Sequence, residues 1–185
     1  MIKDKIDLVL TDPPYGININ KSSRISISRG FGSDSWDNKT PIDEIFNLIF
    51  NISDNQIICG GNYFKLKPTK CFWIWDKNNY GRDFADCEYI WTSFDKVARI
   101  HKQRPMNMDG GKVHPTQKPL NLFMKLLKEF SMQNNIVLDP FFGSGTTGVA
   151  CEKLNRKWIG IEKEEKYCEI AKTRIKQEAD QLKLL

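Results

Sequence analysis

Short apolar runs, rich in β-branched and aromatic residues, alternate along the chain with segments in which apolar residues recur at helical spacing. The runs predict strands, because such side chains suit a pleated, buried surface. In chain order they read IDLVL, QIIC, CFWIW, CEYIW, IVLD and WIGIE. Helices are predicted to begin at Pro41 and at Pro119, and to cover TTGVACEKL and Glu164 to Leu182. This alternation predicts an α/β fold with a mostly parallel sheet and helices on both faces.

The first predicted helix and the segments around it set the remaining organisation. Thr40 is placed to cap this helix, and Pro41 suits its first turn. The apolar residues that share one of its faces are Ile42, Ile45, Phe46 and Ile49. Residues 17–39, rich in Ser, Gly and Asn, predict a mobile loop, and the basic stretch from Lys96 to Lys112 predicts irregular structure. No linker or repeat divides the chain, so residues 1–185 are expected to form a single domain.

Composition narrows the class of protein only slightly. The 185 residues carry a formal net charge of +5, which suits a nucleic-acid partner but equally suits many enzymes. The five cysteines have no Cys-x-x-Cys spacing, and with two histidines no metal site is expected. There is no signal-peptide pattern and no apolar run of about 18 residues. We therefore expect a cytoplasmic protein with no membrane partner.

The stretch IVLDPFFGSGTTG predicts a glycine turn between a strand and a helix. Gly143, Gly145 and Gly148 lack a Cβ, so the backbone there can approach a ligand closely. Glu162 follows about twenty residues later at the tip of the neighbouring strand, where its carboxylate can accept hydrogen bonds from a ribose. The pair indicates an adenosine-containing cofactor. The spacing also satisfies G-x-G-x-x-G, so a dinucleotide, or a tight turn without a ligand, stays open.

The stretch TDPPYG predicts a rigid loop directly after the first strand. Pro13 and Pro14 fix the backbone and have no N–H, so the loop presents carbonyl acceptors. Asp12 adds a carboxylate and Tyr15 a flat ring on which a planar group can stack. This combination suits an amino group on an aromatic ring, such as that of adenine or cytosine.

Taken together, these motifs resemble the DNA methyltransferases that modify exocyclic amino groups with S-adenosyl-L-methionine. DPPY precedes DPFFGSGTT and WIGIE, and this permuted order resembles the β class, which is common among restriction-modification and phage adenine methyltransferases. GGNYF, FWIWDK and VHPTQKP also resemble segments of that family, so the resemblance covers nearly the whole chain. It implies a Rossmann-like class I methyltransferase fold. Aspartate before PPY favours adenine, with cytosine amino methylation as the alternative.

The resemblance also implies roles for individual residues. Asp12 and the carbonyl of Pro13, followed by Pro14, would hold the target amino group, and Tyr15 would stack on a flipped base. Thr116 and Lys118 would lie near the methionine end of the cofactor. The residues implied for the rest of the cofactor site are Asp139, Phe141, Gly143, Gly145, Thr146 and Glu162.

The expected reaction is an in-line methyl transfer promoted by orientation and electrostatics. Methylation at carbon-5 of cytosine is not expected, because the enzymes of that family use a nucleophilic cysteine that follows a proline, and none of the five cysteines here follows a proline. The target base of double-stranded DNA would have to be flipped out, with the loop of residues 17–39 closing over it. RNA as a substrate stays open. The candidates for phosphate contacts are Lys21, Arg24, Arg29, Lys96, Arg99, Lys102, Arg104 and Lys112.

Three further expectations concern the whole chain. Residues 77–112 form a short segment for recognising the target sequence, which implies modest specificity or a homodimer. Family members carry an additional strand before DPPY, whereas eleven residues precede Asp12 here, so that N-terminal strand is expected to be missing. A non-catalytic remnant that binds DNA or cofactor is therefore an alternative to an active enzyme, and a dinucleotide oxidoreductase is a further one.

Overall fold

Twelve elements of secondary structure follow one another in the computed structural model, which describes residues 5–17, 39–81, 85–105 and 117–182. The strands are β1 Leu8–Thr11, β2 Gln56–Cys59, β3 Phe72–Asp76, β4 Cys87–Thr92, β5 Arg99–Lys102, β6 Ile136–Asp139 and β7 Lys157–Gly160. The α-helices are α1 Asp43–Ile52, α2 Leu120–Phe130, α3 Thr146–Lys153 and α4 Glu165–Leu182, and Gly61–Tyr63 forms a 3₁₀ turn. The strands form one sheet in the order β5-β3-β4-β2-β1-β6-β7.

The sheet is mostly parallel, as predicted. Four of its neighbouring pairs run parallel, and only the two pairs that include β4 are antiparallel. Every described strand except β4 therefore points the same way, and their carboxyl ends meet at one edge of the sheet. Ligands of open α/β sheets bind outside the carboxyl ends of the strands, so this edge is where a site is expected.

Helices cover both faces of the sheet, which confirms the prediction. The two-residue period of a strand sends successive side chains of β1 to opposite faces. Leu8 and Leu10 join the cluster that α2 and α3 cover, whereas Val9 joins the cluster that α1 covers through Phe46 and Ile49. In the third cluster, α4 packs its buried Ala171 and Ile175 beside Phe142 and α3. The core is thus layered helix, sheet, helix, and the central strands β1 and β2 are fully buried.

Two local predictions were wrong. The first helix begins at Asp43 rather than Pro41, with Ile42 as its extended N-cap residue and no side chain capping it, so Thr40 is not the cap. Asp43 and Glu44 instead place negative charge in the first turn, where the helix dipole favours it. Ile42 is 64% exposed and does not share the buried face.

The stretch from Lys96 was also predicted to be irregular, but Arg99–Lys102 form β5 at the edge of the sheet, pairing in parallel with β3. An edge strand needs only one partner and one buried side chain, here His101, so its sequence carries little apolar signal. Most of the predicted 17–39 loop lies outside the described residues. No helix among the described residues is both long and apolar enough to cross a membrane.

Candidate functional site

One cavity of about 270 Å³ lies at the carboxyl edge of the sheet and joins the loop after β1 to the loop after β6. Its wall near β1 includes Asp12, Pro14 and Lys118, and its wall near β6 and β7 includes the glycine turn and Glu162. The cavity is also lined by Gln117, Phe123, Asp139, Pro140, Phe141, Phe142, Ser144, Thr146, Thr147, Ile161, Lys163, Glu164 and Tyr167. The two motifs that lie far apart in sequence therefore face one space.

Asp12 is held on both sides by other side chains. Its Oδ1 accepts a hydrogen bond of 2.6 Å from the hydroxyl of Tyr15. Its Oδ2 lies 2.6 Å from Nζ of Lys118, which is only 4% exposed. Within this loop Pro13 is buried and Pro14 lines the cavity. The two prolines make the backbone rigid, and this rigidity fixes the position of Asp12. The sequence placed Lys118 beside the cofactor; the structure brings it onto Asp12 as well.

Glu88 and Lys77 extend this contact into a charged cluster that the sequence did not identify. Oε2 of Glu88 lies 3.2 Å from Nζ of Lys118, and Oε1 of Glu88 lies 2.7 Å from Nζ of Lys77. Glu88 comes from β4 and Lys77 from the residue after β3. The available signal was weak: a single acid in an apolar strand, and the DK that ends FWIWDK. Two acids and two bases make the cluster formally neutral.

Burial and charge shift the pKa values of the cluster in opposite directions. Burial raises the pKa of the Asp12 carboxyl, although the Lys118 charge opposes this. Burial also disfavours ionised Glu88, but the charges of Lys118 and Lys77 prevail and lower its pKa to about 2. For Lys118 the loss of hydration is outweighed by Asp12 and Glu88, and its pKa rises well above its usual range. Lys118 is thus a fixed cation at neutral pH.

Tyr15 packs into an aromatic group beside the cluster. The rings of Tyr15 and Tyr63 stack with centroids 4.7 Å apart and planes 12° apart, and Phe64 approaches the Tyr15 ring edge-on. Gly60 lies so close that a Cβ there would fall 2.2 Å from the Tyr15 ring, and its φ of +67° also favours glycine. One face of Tyr15 is therefore already covered by Tyr63, and GGNYF is the segment that shapes this pocket.

The glycine turn packs against other parts of the protein more closely than the sequence indicated. Gly145 is the N-cap residue of α3, with φ +78°, and a Cβ there would lie 2.8 Å from that of Ala171 in α4. A Cβ at Gly148 would meet Ile175 and Phe142. At both positions the missing side chain makes room for α4 and Phe142, not for a ligand. Gly143, with φ +51°, lines the cavity.

Asp139 joins the two loops rather than presenting a free carboxylate. Its Oδ1 accepts from the Thr11 hydroxyl at 2.7 Å and from the Phe141 backbone N–H at 3.1 Å, and its Oδ2 accepts from the Thr147 hydroxyl at 2.5 Å. It is 3% exposed, and burial raises its pKa to about 6 despite those donors. The resemblance implies that Asp139 belongs to the cofactor site, and Asp139 does line the cavity. Its carboxylate also fixes the spacing of β1, β6 and α3.

Glu162 lies where the sequence placed it, at the end of β7 and in the cavity wall. Its Oε2 accepts from the Gly143 backbone N–H at 2.7 Å, and its Oε1 accepts from the Glu164 backbone N–H at 2.9 Å. A carboxylate offers about four acceptor positions, so two remain for hydroxyl groups. Two backbone donors thus orient Glu162 without saturating it.

The remaining predicted residues divide into three groups. Phe141 and Thr146 line the cavity, as the cofactor assignment requires. Among the predicted phosphate contacts, Lys96 pairs with Glu129 at 3.0 Å, whereas Arg99, Lys102 and Arg104 are exposed. Thr116, Lys21, Arg24, Arg29 and Lys112 lie outside the described residues.

Comparisons with known proteins agree with this geometry. The model of the N6/N4 methyltransferase family, described as DNA methylase, matches residues 75–173, more than half of the chain. The type II methyltransferase M.HinfI of Haemophilus influenzae is 46% identical over 76 residues, which are 41% of this chain and 21% of that protein. The type II methyltransferase M2.MboI of Moraxella bovis is 28% identical over an alignment of 221 residues, covering 92% of this chain and 81% of the relative.

Among solved structures, the M1.HpyAVI–SAM complex superposes with a TM-score of 0.59 at 24% identity, covering 92% of this chain and 89% of that one. At that identity the likeness shows a shared fold. A strand–loop edge with a DPPY loop and a glycine turn facing one cavity defines a methyltransferase-like site, and the family match makes the assignment specific. The chain belongs to the N6/N4 family of DNA methylases.

Proposed function

We propose that this protein transfers a methyl group from S-adenosyl-L-methionine to the exocyclic amino group of an adenine in DNA. The observation that carries the proposal is the single cavity that joins Asp12 to the glycine turn and Glu162. A methyl donor and an amino acceptor must meet in line for the transfer, and one shared space brings them together.

The residues of the β6 and β7 end fit an adenosine group. Glu162 keeps acceptor positions for the two hydroxyls of a ribose, while Phe141 and Ile161 supply apolar wall. The backbone at Gly143 lines the same wall with no side chain to obstruct it. S-adenosyl-L-methionine, when bound, supplies an activated methyl group on a positively charged sulfur.

The residues of the β1 end fit the amino group. The lone pair of that nitrogen is delocalised into the base, so its hydrogens must be held to free it for attack. Asp12 accepts one of them, and the carbonyl of Pro13 is proposed to accept the other. The carbon–sulfur bond breaks as the nitrogen–carbon bond forms, and the nitrogen then loses one proton. Because burial raises the pKa of Asp12, its carboxylate is a good acceptor for that proton.

Base binding requires a rearrangement of Tyr15. Its hydroxyl occupies one oxygen of Asp12 and its ring is stacked on Tyr63. A flipped base that reaches Oδ1 of Asp12 must replace the Tyr15 hydroxyl, and one that stacks on the face of Tyr15 covered by Tyr63 must displace that ring as well. Lys118 remains on the other oxygen of Asp12 at 2.6 Å and keeps that carboxylate oriented during the exchange. The main role proposed for Lys118 is therefore to hold Asp12, ahead of binding the cofactor.

The test is transfer of a labelled methyl group from S-adenosyl-L-methionine to mixed-sequence duplex DNA, followed by nucleoside analysis. We expect N6-methyladenine from the intact protein and a loss of about 10² to 10³-fold in Asp12→Ala, since one transition-state contact is worth about that much. Asp54→Ala, an exposed acid outside the cavity, is the matched control and should transfer normally. N4-methylcytosine as product would replace the adenine assignment, and no transfer by the intact protein would favour a non-catalytic remnant.

Several finer points remain predictions from the sequence. They are double-stranded DNA with a flipped base as the substrate form, a homodimer, a cytoplasmic location, closure by residues 17–39 and target recognition by residues 77–112. The last is supported by the exposure of Tyr80, Val97 and Ile100, at 58%, 62% and 73%, within that segment. Exchanging residues 77–112 with the matching segment of a relative should change which DNA sequences are methylated.

A further inference from the structure

A second concave surface lies between the end of β5 and the helix α2, outside the cavity described above. We call it the β5–α2 groove; its volume is about 550 Å³. It is lined by His101, Lys102, Gln103, Asn121, Met124, Lys125 and Lys128. None of these residues lines the cavity that holds Asp12 and Glu162, and only Lys102 was singled out from the sequence.

The charge of the groove is positive and is not neutralised by ion pairs. Lys102, Lys125 and Lys128 are exposed, and none forms a salt bridge with an acid of the described residues. Asn121, Lys125 and Lys128 follow one another at i, i+4 and i+7, so they form one stripe along α2. Lysines left without acids in a concave surface attract a polyanion.

Two acids adjoin the groove lysines, one through strand pairing and one along the chain. Asp76, which pairs in register with Lys102, accepts a 2.5 Å hydrogen bond from the Tyr80 hydroxyl and a 2.7 Å bond from the Asn78 backbone. Glu129, the neighbour of Lys128, pairs with Lys96. Asp76 keeps its negative charge and offsets part of the charge of Lys102. Lys125 and Lys128 on the α2 stripe have no salt bridge with an acid of the described residues, so their charge stays available to a ligand.

The floor of the groove is polar and ordered. His101 is 4% exposed; its Nε2 lies 2.8 Å from Oε1 of Gln103, while its Nδ1 has no hydrogen-bond partner among the described residues. The backbone oxygen of Gln103 accepts from the Trp75 indole at 2.8 Å, which fixes the strand end. A buried polar atom without a partner normally pairs with water or a ligand. The amide of Asn121 adds a donor above this floor.

The groove shares the carboxyl edge of the sheet with the proposed base-binding end of the cavity, although β3, β4 and β2 lie between β5 and β1. β5 and β1 point the same way, so Lys102 and Gln103 lie at the sheet edge that carries Asp12. Asn121 follows Lys118 by three residues, and Lys118 contacts Asp12 directly. The basic stripe on α2 therefore begins at the amino-group end of the site and runs away from it.

We propose that the β5–α2 groove binds the phosphate backbone of the DNA that flanks the target base. The inference rests on the proposed function, because it assigns the groove to the same DNA. Lysines and amides that face a concave surface suit phosphate and sugar oxygens, which position a duplex without reading its sequence. A membrane surface fits less well, since Met124 is the only large apolar residue of the lining and a membrane-binding face needs an apolar stripe.

The test measures binding of a fluorescently labelled, mixed-sequence duplex across a series of NaCl concentrations. The variant is the full chain with Lys125→Gln and Lys128→Gln. The slope of log K against log salt is negative, and each lost phosphate contact makes it shallower by about 0.9. The slope of the double variant should therefore be shallower than that of the wild type by nearly 2. The matched control is Lys5→Gln with Lys157→Gln, two exposed lysines at the amino ends of β1 and β7, on the opposite edge of the sheet; its slope should equal that of the wild type.

Two further readouts separate the outcomes. Circular dichroism and equilibrium binding of S-adenosyl-L-methionine should be unchanged in the double variant, because neither lysine lines the cofactor cavity. A slope equal to that of the wild type overturns the groove while leaving the proposed function intact. If the double variant has a shallower slope, but the wild type binds DNA without transferring a methyl group, the result supports the groove and contradicts the proposed activity. A wild type that binds no DNA overturns both.

Discussion

The two ends of the cavity are built in different ways. At the β1 end, charged side chains come from separate segments of the chain and meet by tertiary packing: Asp12, Lys77, Glu88 and Lys118. At the glycine-turn end, one continuous segment of backbone forms most of the cavity wall. Two backbone N–H groups hold Glu162 there. One end therefore depends on charge balance and the other on close backbone approach.

This difference decides what a substitution does at each end. A buried ion cluster is strongly destabilised when one partner is removed, because the other charges remain buried without compensation. A glycine turn is destabilised when a side chain is added, because the packing around it leaves no room. Removing a charged side chain should thus lower the stability most at the β1 end, and adding a side chain should lower it most at the glycine turn.

The largest effect is expected for Lys118→Met, which keeps the length of the side chain but removes its charge. Asp12 and Glu88 would remain as neighbouring acids with only Lys77 to balance them. We expect the free energy of unfolding to fall by about 3 to 5 kcal/mol, with loss of methyl transfer. Urea denaturation at pH 7.5 measures the first and labelled methyl transfer the second.

The matched control for this variant is Lys65→Met, which breaks an exposed ion pair with Asp43. Exposed pairs contribute about 1 kcal/mol or less, so this protein should unfold almost like the wild type. If Lys118→Met were no worse than Lys65→Met, the cluster would not be the stabilising element of the β1 end.

The glycine turn is tested by Gly145→Ala against Gly81→Ala. The two glycines have nearly the same φ, +78° and +76°, but a Cβ at Gly145 meets Ala171 at 2.8 Å whereas at Gly81 it meets nothing within 4 Å. Backbone strain should cost each variant about 1 to 2 kcal/mol, and overpacking should cost Gly145→Ala about 1 to 3 more. Equal losses in thermal and urea unfolding would show that the approach of α4 does not constrain the turn.

The contrast between the ends also explains what the sequence could predict. The glycine turn, Glu162 and the DPPY loop were found because each is a short motif with a fixed order. Glu88 and Lys77 were missed because their partner, Lys118, comes from a distant segment and no local pattern records that meeting. The β5 strand was missed for a related reason: at the sheet edge, three of its four side chains are exposed and give no periodic apolar signal.

The link between the two ends, Asp139, should respond to pH. Its pKa of about 6 in the folded protein lies above the ordinary value of about 4, so between these values the folded state holds a proton that the unfolded state has lost. The free energy of unfolding should therefore decrease as the pH rises from about 4 to about 6, by at most about 2 to 3 kcal/mol. Denaturation at pH 4.5, 6 and 7.5 measures this trend.

Asp139→Asn should weaken that pH dependence while keeping the loops together. Its side-chain oxygen can still accept from Thr11 and Phe141, and the Thr147 hydroxyl can accept from the new amide. At pH 7.5 we expect a stability within about 1 kcal/mol of the wild type. A variant that keeps the wild-type decrease between pH 4.5 and 6 would assign the titration to another group.

A small effect on stability is also expected at Tyr63, and it tests how the β1 end opens. Tyr63 is 44% exposed and stacks on Tyr15, so Tyr63→Ala should cost about 1 kcal/mol, whereas Tyr63→Phe keeps the ring and should cost less. If a base must displace Tyr63 to stack on Tyr15, losing that ring removes a competitor, and the KM for DNA should fall several-fold in the alanine variant only. A higher KM would mean instead that Tyr63 moves with Tyr15 and contacts the base. The stacked pair of Tyr15 and Tyr63 would then form one wall of the base-binding pocket rather than block it.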